Sequence, residues 1–156
     1  MEQVIIEEAV WTEDIVERLI RFSEDWEKEN SCWGYRRNTW DDLKGERVFL
    51  AREGGQILGY LLGHAETEKK GCTAYPKGTQ LFEVSELYVI PSERSKGVGK
   101  AIMQFVQERV RDQAQVLVLT AAARNARAIL HFYLDEIGME FYSAWLFLRL
   151  QPDNPS

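Results

Sequence analysis

The stretch EVSELYVIPSERSKGVGKAIMQFVQERV, residues 83–110, decides how this chain is read. Leu81 to Ile90 is rich in β-branched and aromatic residues and reads as a strand. Pro91 ends it, because proline has no N–H to give to a ladder. Arg94-Ser95-Lys96-Gly97-Val98-Gly99-Lys100 follows, a short basic loop with two glycines. Val98, Ala101, Ile102, Phe105, Val106 and Val110 then recur at helical spacing and make one apolar face.

Strand, glycine-containing loop and helix in that order form a cradle for phosphate. The first N–H groups of a helix lack internal partners, and the helix dipole adds about half a positive charge there. Glycine lets a ligand approach the backbone closely. Arg94, Lys96 and Lys100 bring formal charge to the same place, so a diphosphate is the natural guest. The Rossmann fingerprint would need a third glycine near Phe105, and the Walker pattern would need a Gly-Lys-Ser/Thr end; neither is present.

Outward from this stretch, the chain has the size of one domain. It has 156 residues, 45% hydrophobic and 28% charged, enough to bury a core. No apolar run approaches the ~20 residues of a membrane-spanning helix, and the acidic start Met1-Glu2-Gln3-Val4 is unlike a signal peptide. Cys32 and Cys72 form no metal-type cluster and read as free thiols of a cytoplasmic protein. The net charge is −6 but unevenly spread. Residues 94–127 carry 7 basic and 2 acidic side chains, against 11 and 19 in residues 1–93. The basic block coincides with the phosphate cradle. The acidic remainder argues against nucleic acid and suits a cationic acceptor such as an amine, or simply a solvated surface.

In chain order, Val4 to Val10 reads as a first strand and Thr12 as the N-cap of a helix whose buried face is Ile15, Val16, Leu19, Ile20, Ser23 and Trp26. Ser31 to Asn38 is irregular and aromatic, and residues 39–43 suit a short second helix. Trp26, Trp33, Tyr35 and Trp40 either cover the core or line an acceptor pocket. Arg47 to Arg52 and Ile57 to Ala65 pair as a hairpin across Glu53-Gly54-Gly55-Gln56. A polar loop over residues 66–79 leads into the central strand. After the helix over 97–113, Gln115 to Ala121 suits a buried strand, and a last helix starts at Ala123-Arg124-Asn125 and stops at Gly138. That helix carries Ile129, Leu130, Tyr133, Leu134 and Ile137 on one face. Phe141 to Leu150 is expected to be a final strand, and residues 151–156 a polar tail. Residues 1–150 thus form one α/β domain with a mixed sheet.

Arg94-x-x-Gly97-x-Gly99 after Leu87-Tyr88-Val89-Ile90-Pro91 resembles the acetyl-CoA motif of the GNAT superfamily of N-acetyltransferases. Asn125-x-x-Ala128-x-x-x-Phe132-Tyr133, followed by Ile137-Gly138-Met139, resembles that family's C-terminal motif, with Met139 where phenylalanine is usual. The resemblance covers essentially the whole chain. It implies a GNAT-like mixed, mostly antiparallel sheet flanked by helices and splayed at the central strand. It also implies direct acetyl transfer from acetyl-CoA, the co-substrate, to a primary amine of a small molecule or peptide, with no metal. A non-catalytic acyl-CoA sensor of the same fold is the alternative. Neither nucleic acid nor membrane is an expected partner, and a homodimer is left open.

Residue by residue, the resemblance places the diphosphate at Arg94, Ser95, Lys96, Gly97, Val98, Gly99 and Lys100. The pantetheine arm falls along Leu87, Tyr88 and Val89, with the Val89 N–H polarising the thioester carbonyl. Asn125 and Ala128 would bind the CoA arm, although Asn125 is equally placed to cap its helix. Tyr133 matches the family's general acid. Glu86, with Glu83 as the alternative, is the candidate base and acceptor-site carboxylate, and Trp33 and Tyr35 join it there. Three residues apart on a regular strand, Glu83 and Glu86 point to opposite faces, so they share a site only if a bulge intervenes. His64 and His131 are read as structural.

Overall fold

Five strands make one sheet in the order β1-β2-β3-β4-β5. They are β1 (Val4–Ala9), β2 (Arg47–Glu53), β3 (Gln56–Thr67), β4 (Gln80–Val89) and β5 (Val116–Val118) in a computed structural model that describes residues 3–151. The first four strands pair antiparallel and β5 joins β4 in parallel, so the sheet is mixed and mostly antiparallel. Helices α1 (Glu13–Glu29), α2 (Trp40–Leu43), α3 (Val98–Val110) and α4 (Ala126–Leu130) flank it, and a π-helical turn over His131–Glu136 extends α4. Among the described residues, no helix is long and apolar enough to cross a membrane.

Local chemistry sets the helix ends. Thr12 accepts the Ile15 N–H at 3.2 Å, with Glu13 and Asp14 in the first turn of α1, and left-handed Asn30 closes that helix. Thr39 and Asp42 exchange hydrogen bonds as a capping box on α2. Two cores form on the two faces of the sheet. Val98, Ile102, Met103, Val106 and Val110 of α3 pack with Phe49, Leu61, Phe82 and Val84. Met103 is fully buried in that face, while Phe105 and Ala101 are only partly buried, so the stripe is rotated slightly from the one the spacing implies. Ile15, Val16 and Leu19 of α1 pack on the other face with Leu50, Tyr60, Leu62 and Tyr88.

The β3–β4 ladder slips at one place. Leu62 faces Glu86, but the next residue, Gly63, faces Val84, so Ser85 is an extra residue in β4. Alternation restarts after it. Phe82, Val84, Leu87 and Val89 lie toward α3, and Glu83, Glu86 and Tyr88 lie toward α1 and α2. Beyond Glu83, β4 also parts from β5, which pairs only Leu81–Glu83 with Val116–Val118.

Three expectations are corrected. The strand expected over residues 115–121 keeps its ladder only at Val116–Val118, because the splay removes its partner. The last helix is α-helical only to Leu130; the Ile137 N–H reaches the Phe132 carbonyl five residues back, and Leu134 takes no part in the core. Phe141 to Leu150 is not a strand. It runs exposed, with Trp145 86% exposed, held by Phe147 on Trp33 and by the Thr73 hydroxyl on Tyr142. Strand propensity describes a surface that fits a pleated neighbour, and no paired neighbour is offered here. Of the expected polar tail, residues 152–156 lie outside the described residues.

Phe49 carries the α3 side of the core, fully buried and edge-on to Phe82 and Phe105. Phe49→Ala should lower unfolding free energy by about 3–5 kcal/mol, read by urea denaturation. A loss below about 1 kcal/mol would contradict this packing.

Candidate functional site

Glu86 is a mostly buried carboxylate with both oxygens engaged. The Tyr35 hydroxyl donates to one of its oxygens at 2.5 Å and the Asn38 side-chain amide to the other at 2.5 Å. Burial pushes its pKa above the ordinary glutamate value; the two hydrogen bonds oppose the rise, and the Glu46 and Asp42 charges reinforce it. Burial and the Glu86 charge likewise hold Tyr35 firmly in its protonated, donor form. Trp26 stacks on Tyr35 at 4.2 Å and on Tyr88 at 5.2 Å, so the flank of Glu86 is a wall of rings. The Tyr60 hydroxyl is buried beside Glu86 and Tyr35 with no partner in hydrogen-bonding geometry.

The loop over residues 31–39 brings Tyr35 and Asn38 here. Trp33 gives its N–H to the Ala122 carbonyl and Arg124 gives its N–H to the Ser31 carbonyl, each at 2.8 Å. The loop therefore bridges the chain after β5 to Glu86 on β4, across the place where the two strands part. Trp33 does not reach Glu86: it is half exposed, under the Arg124 guanidinium at 3.9 Å and against Phe147. Asn38, Tyr60 and Glu46 were not marked in the sequence, since each is an ordinary residue whose role depends on cross-strand neighbours. Tyr60 could have been found by its place in the apolar run of β3.

The bulge puts Glu83 on the same face as Glu86. Glu83 is more exposed and stands opposite His64. His64 Nδ1 lies 3.2 Å from both Glu46 carboxylate oxygens, and its Nε2 is 3.5 Å from Glu66 and from Glu83. Burial alone would depress the His64 pKa; the hydrogen bond to Glu46 and the charges of Glu46, Glu83 and Glu66 outweigh it and raise it.

On the splayed edge, Ile90 gives its N–H to Leu58 of β3 at 2.9 Å. Strand alternation then turns the backbone groups of Leu87 and Val89 toward the gap left by β5. Tyr88 points its ring the other way, into the α1 core. Arg94 folds back on this edge. Its Nε donates to the Val89 carbonyl at 2.8 Å, and its fork grips Glu29 at 2.5 and 3.0 Å. Ser95 at φ 63° and Gly97 at φ 87° bend the chain into α3, whose first turn is Val98, Gly99 and Lys100. Lys96 reaches Glu93 at 3.5 Å, and Lys100 makes no ion pair among the described residues.

The π-helical turn closes this end. A side chain on Gly99 would meet Phe132 at 3.5 Å, so the turn lies against the start of α3. Tyr133, edge-on to Phe132, is mostly buried; burial, then the Cys32 charge, pushes its hydroxyl up to about 12. Asn125 caps α4 by accepting the Ala128 N–H at 3.2 Å, which settles its local role as a cap. The structure thus gathers Glu83, Glu86 and Tyr35 on one side of β4. On its other side it gathers Leu87, Val89, residues 94–100 and, through Phe132, Tyr133.

A model of the acetyltransferase (GNAT) family matches residues 10–139. None of the curated proteins compared with the chain matches it in sequence. Solved structures do match in fold. An aminoglycoside acetyltransferase, meta-AAC0020, from an uncultured soil metagenomic sample is 16% identical, with 95% of this chain and 97% of that one covered at a TM-score of 0.68. A predicted acetyltransferase with acetyl-CoA from Clostridium acetobutylicum is 14% identical, with 95% and 97% covered at 0.65. A ribosomal-protein-alanine N-acetyltransferase from Brucella melitensis is 17% identical, with 94% and 99% covered at 0.62.

The pH response of stability follows from Glu86. Its pKa is raised on folding, so the folded chain keeps this proton to a higher pH than the unfolded chain. The stabilisation is complete below the unfolded value and is lost as pH rises through the folded one. Glu86→Gln has no such loss. Its melting temperature relative to the native protein should climb as pH rises from about 4 to about 8. Parallel curves over that range would contradict the assignment.

Proposed function

The chain belongs to the acetyltransferase (GNAT) family, and from that premise we propose that it moves the acetyl group of acetyl-CoA directly to a primary amine of a small molecule or peptide. The observation that carries this reading is the parting of β4 and β5 after the Ser85 bulge. It leaves the backbone of Leu87 and Val89 without a strand neighbour, next to the N-terminus of a 13-residue helix. An amide-rich pantetheine arm fits such an edge, and the diphosphate fits the N–H groups of Val98, Gly99 and Lys100.

Arg94, Lys96 and Lys100 supply charge to that diphosphate. Arg94 must let go of Glu29 first. Both side chains are partly exposed, so the pair is worth at most about 1 kcal/mol, and two phosphates replace it readily. The Val89 N–H polarises the thioester carbonyl. Glu86, raised by burial, accepts a proton from the incoming ammonium, directly or through water, with Glu83 as the second carboxylate on that face. The amine nitrogen then bonds to the carbonyl carbon and the carbon–sulfur bond breaks. Tyr133, protonated at neutral pH, gives its proton to the departing sulfur, and the second proton shed by the bonded nitrogen restores the Tyr133 hydroxyl. Tyr35 and Asn38 orient Glu86 and frame the acceptor side. Fold neighbours that act on aminoglycosides and on a ribosomal protein leave both classes of acceptor open. The free thiols Cys32 and Cys72 fit a cytoplasmic location.

Tyr133→Phe tests this directly. The ring keeps its packing and only the proton donor goes. With a turned-over amine, kcat should fall roughly 10²–10³-fold while acetyl-CoA binding by calorimetry changes little. An unchanged kcat in the folded variant, with chemistry rate-limiting, would exclude Tyr133 as the acid. Tight acetyl-CoA binding by the native protein with no CoA release from any amine would instead favour a sensor.

A further inference from the structure

The sheet face that carries Glu86 holds a second anionic cluster, centred on Glu83. Glu83 stands two ladder positions along β4 from Glu86, because Ser85 bulges out between them. At ~3.4 Å per residue, that separation is about 7 Å. Around Glu83 lie His64, Glu66 and Glu46, and ligand atoms of His64, Glu66 and Glu83 all fall within 4.8 Å of one another. The Ser85 hydroxyl donates to Glu46 at 2.8 Å and fixes that carboxylate against His64 Nδ1.

The hydrogen-bond pattern leaves this cluster short of positive charge. Both Glu46 oxygens face Nδ1, so Nδ1 carries a proton. In the neutral ring, Nε2 then aims a lone pair at two carboxylates. A positive group there, either a proton on Nε2 or a bound cation, relieves that repulsion. Even with His64 protonated, Glu46, Glu66 and Glu83 leave two negative charges over. Lys69 shares a cleft with Glu66 at the rim. The Glu46 charge also reaches Glu86, so the two sites form one anionic track. At its inner end the buried Tyr60 hydroxyl, unpartnered, offers an oxygen beside Glu86 to an ammonium N–H, and the rings of Trp26, Tyr35 and Tyr88 flank it.

We propose, resting on the reading of Glu86 as the acceptor-site carboxylate, that the acceptor is a diamine or longer polyamine. Its reacting ammonium meets Glu86 and Tyr60, and a second ammonium about 7 Å away meets Glu66, Glu83 and His64. The track is exposed at its outer end and buried at its inner end, which orients such a molecule with one amine toward the chemistry.

Calorimetry on the intact protein with CoA present, at low salt, tests this. 1,4-Diaminobutane should bind at least about tenfold more tightly than 1-aminobutane. In Glu66→Gln, an exposed position that the fold does not depend on, that ratio should shrink by about threefold or more. Equal affinities, a ratio untouched by Glu66→Gln, or uptake of Zn²⁺ without any diamine preference would overturn the proposal. Turnover is read separately. A diamine preference in binding without CoA release from acetyl-CoA would sink the catalytic reading and keep the second ammonium site. CoA release from mono- and diamines at equal kcat/KM, with equal binding, would do the reverse.

Discussion

Ser85 has no partner across the β3–β4 ladder, and the geometry of the site depends on that one extra residue. An unbulged β4 would place Glu83 and Glu86 on opposite faces, one of them under α3 in an apolar core. With the bulge, both carboxylates lie on the α1 side, while Phe82, Val84, Leu87 and Val89 all remain toward α3. The bulge lies where β4 stops pairing with β5. Extra twist at a bulge is a physical cause for strands parting. Helix α3 then begins beside the freed edge, because Pro91 ends the strand and the left-handed residues Ser95 and Gly97 turn the chain back.

A buried carboxylate is costly, and the surroundings of Glu86 show how the cost is met. Two hydrogen-bond donors, Tyr35 and Asn38, reach it from a loop without regular structure. That loop is in turn tied to the chain after β5 by backbone hydrogen bonds at Trp33 and Arg124. A single short segment therefore spans both parted strands, and it couples the Glu86 side of β4 to the side that carries Tyr133. Burial still wins at Glu86, because two hydrogen bonds do not replace full hydration near the Glu46 and Asp42 charges.

Much of this was legible in the chain. The α3 helix, the Gly54-Gly55 hairpin, the Thr12 cap, the short helix at residues 39–43 and the glycine loop are local signals and appear where the residues place them, although the α3 stripe is rotated slightly. The order of elements follows up to the last strand. What was not legible depends on pairing over distance. Nothing local in Val84-Ser85-Glu86 marks a bulge, since the slip is defined against Leu62 and Gly63 on another strand. Asn38 and Tyr60 gain their roles only from Glu86. The π-helical turn looks like ordinary helix in its apolar spacing. Phe141 to Leu150 has the composition of a strand, but among the described residues it has no strand partner. His64 was read as structural because its three carboxylate neighbours come from three places in the sequence.

In the proposed function the freed edge of β4 receives the acyl donor. Amide hydrogen exchange at Leu87 and Val89 reads that edge directly, since neither amide has a strand neighbour without ligand. Saturating acetyl-CoA should slow exchange at both amides, together with those of Val98, Gly99 and Lys100, and leave the β1–β2 amides unchanged. Acetyl-CoA that binds tightly while Leu87 and Val89 exchange as fast as before would contradict the account.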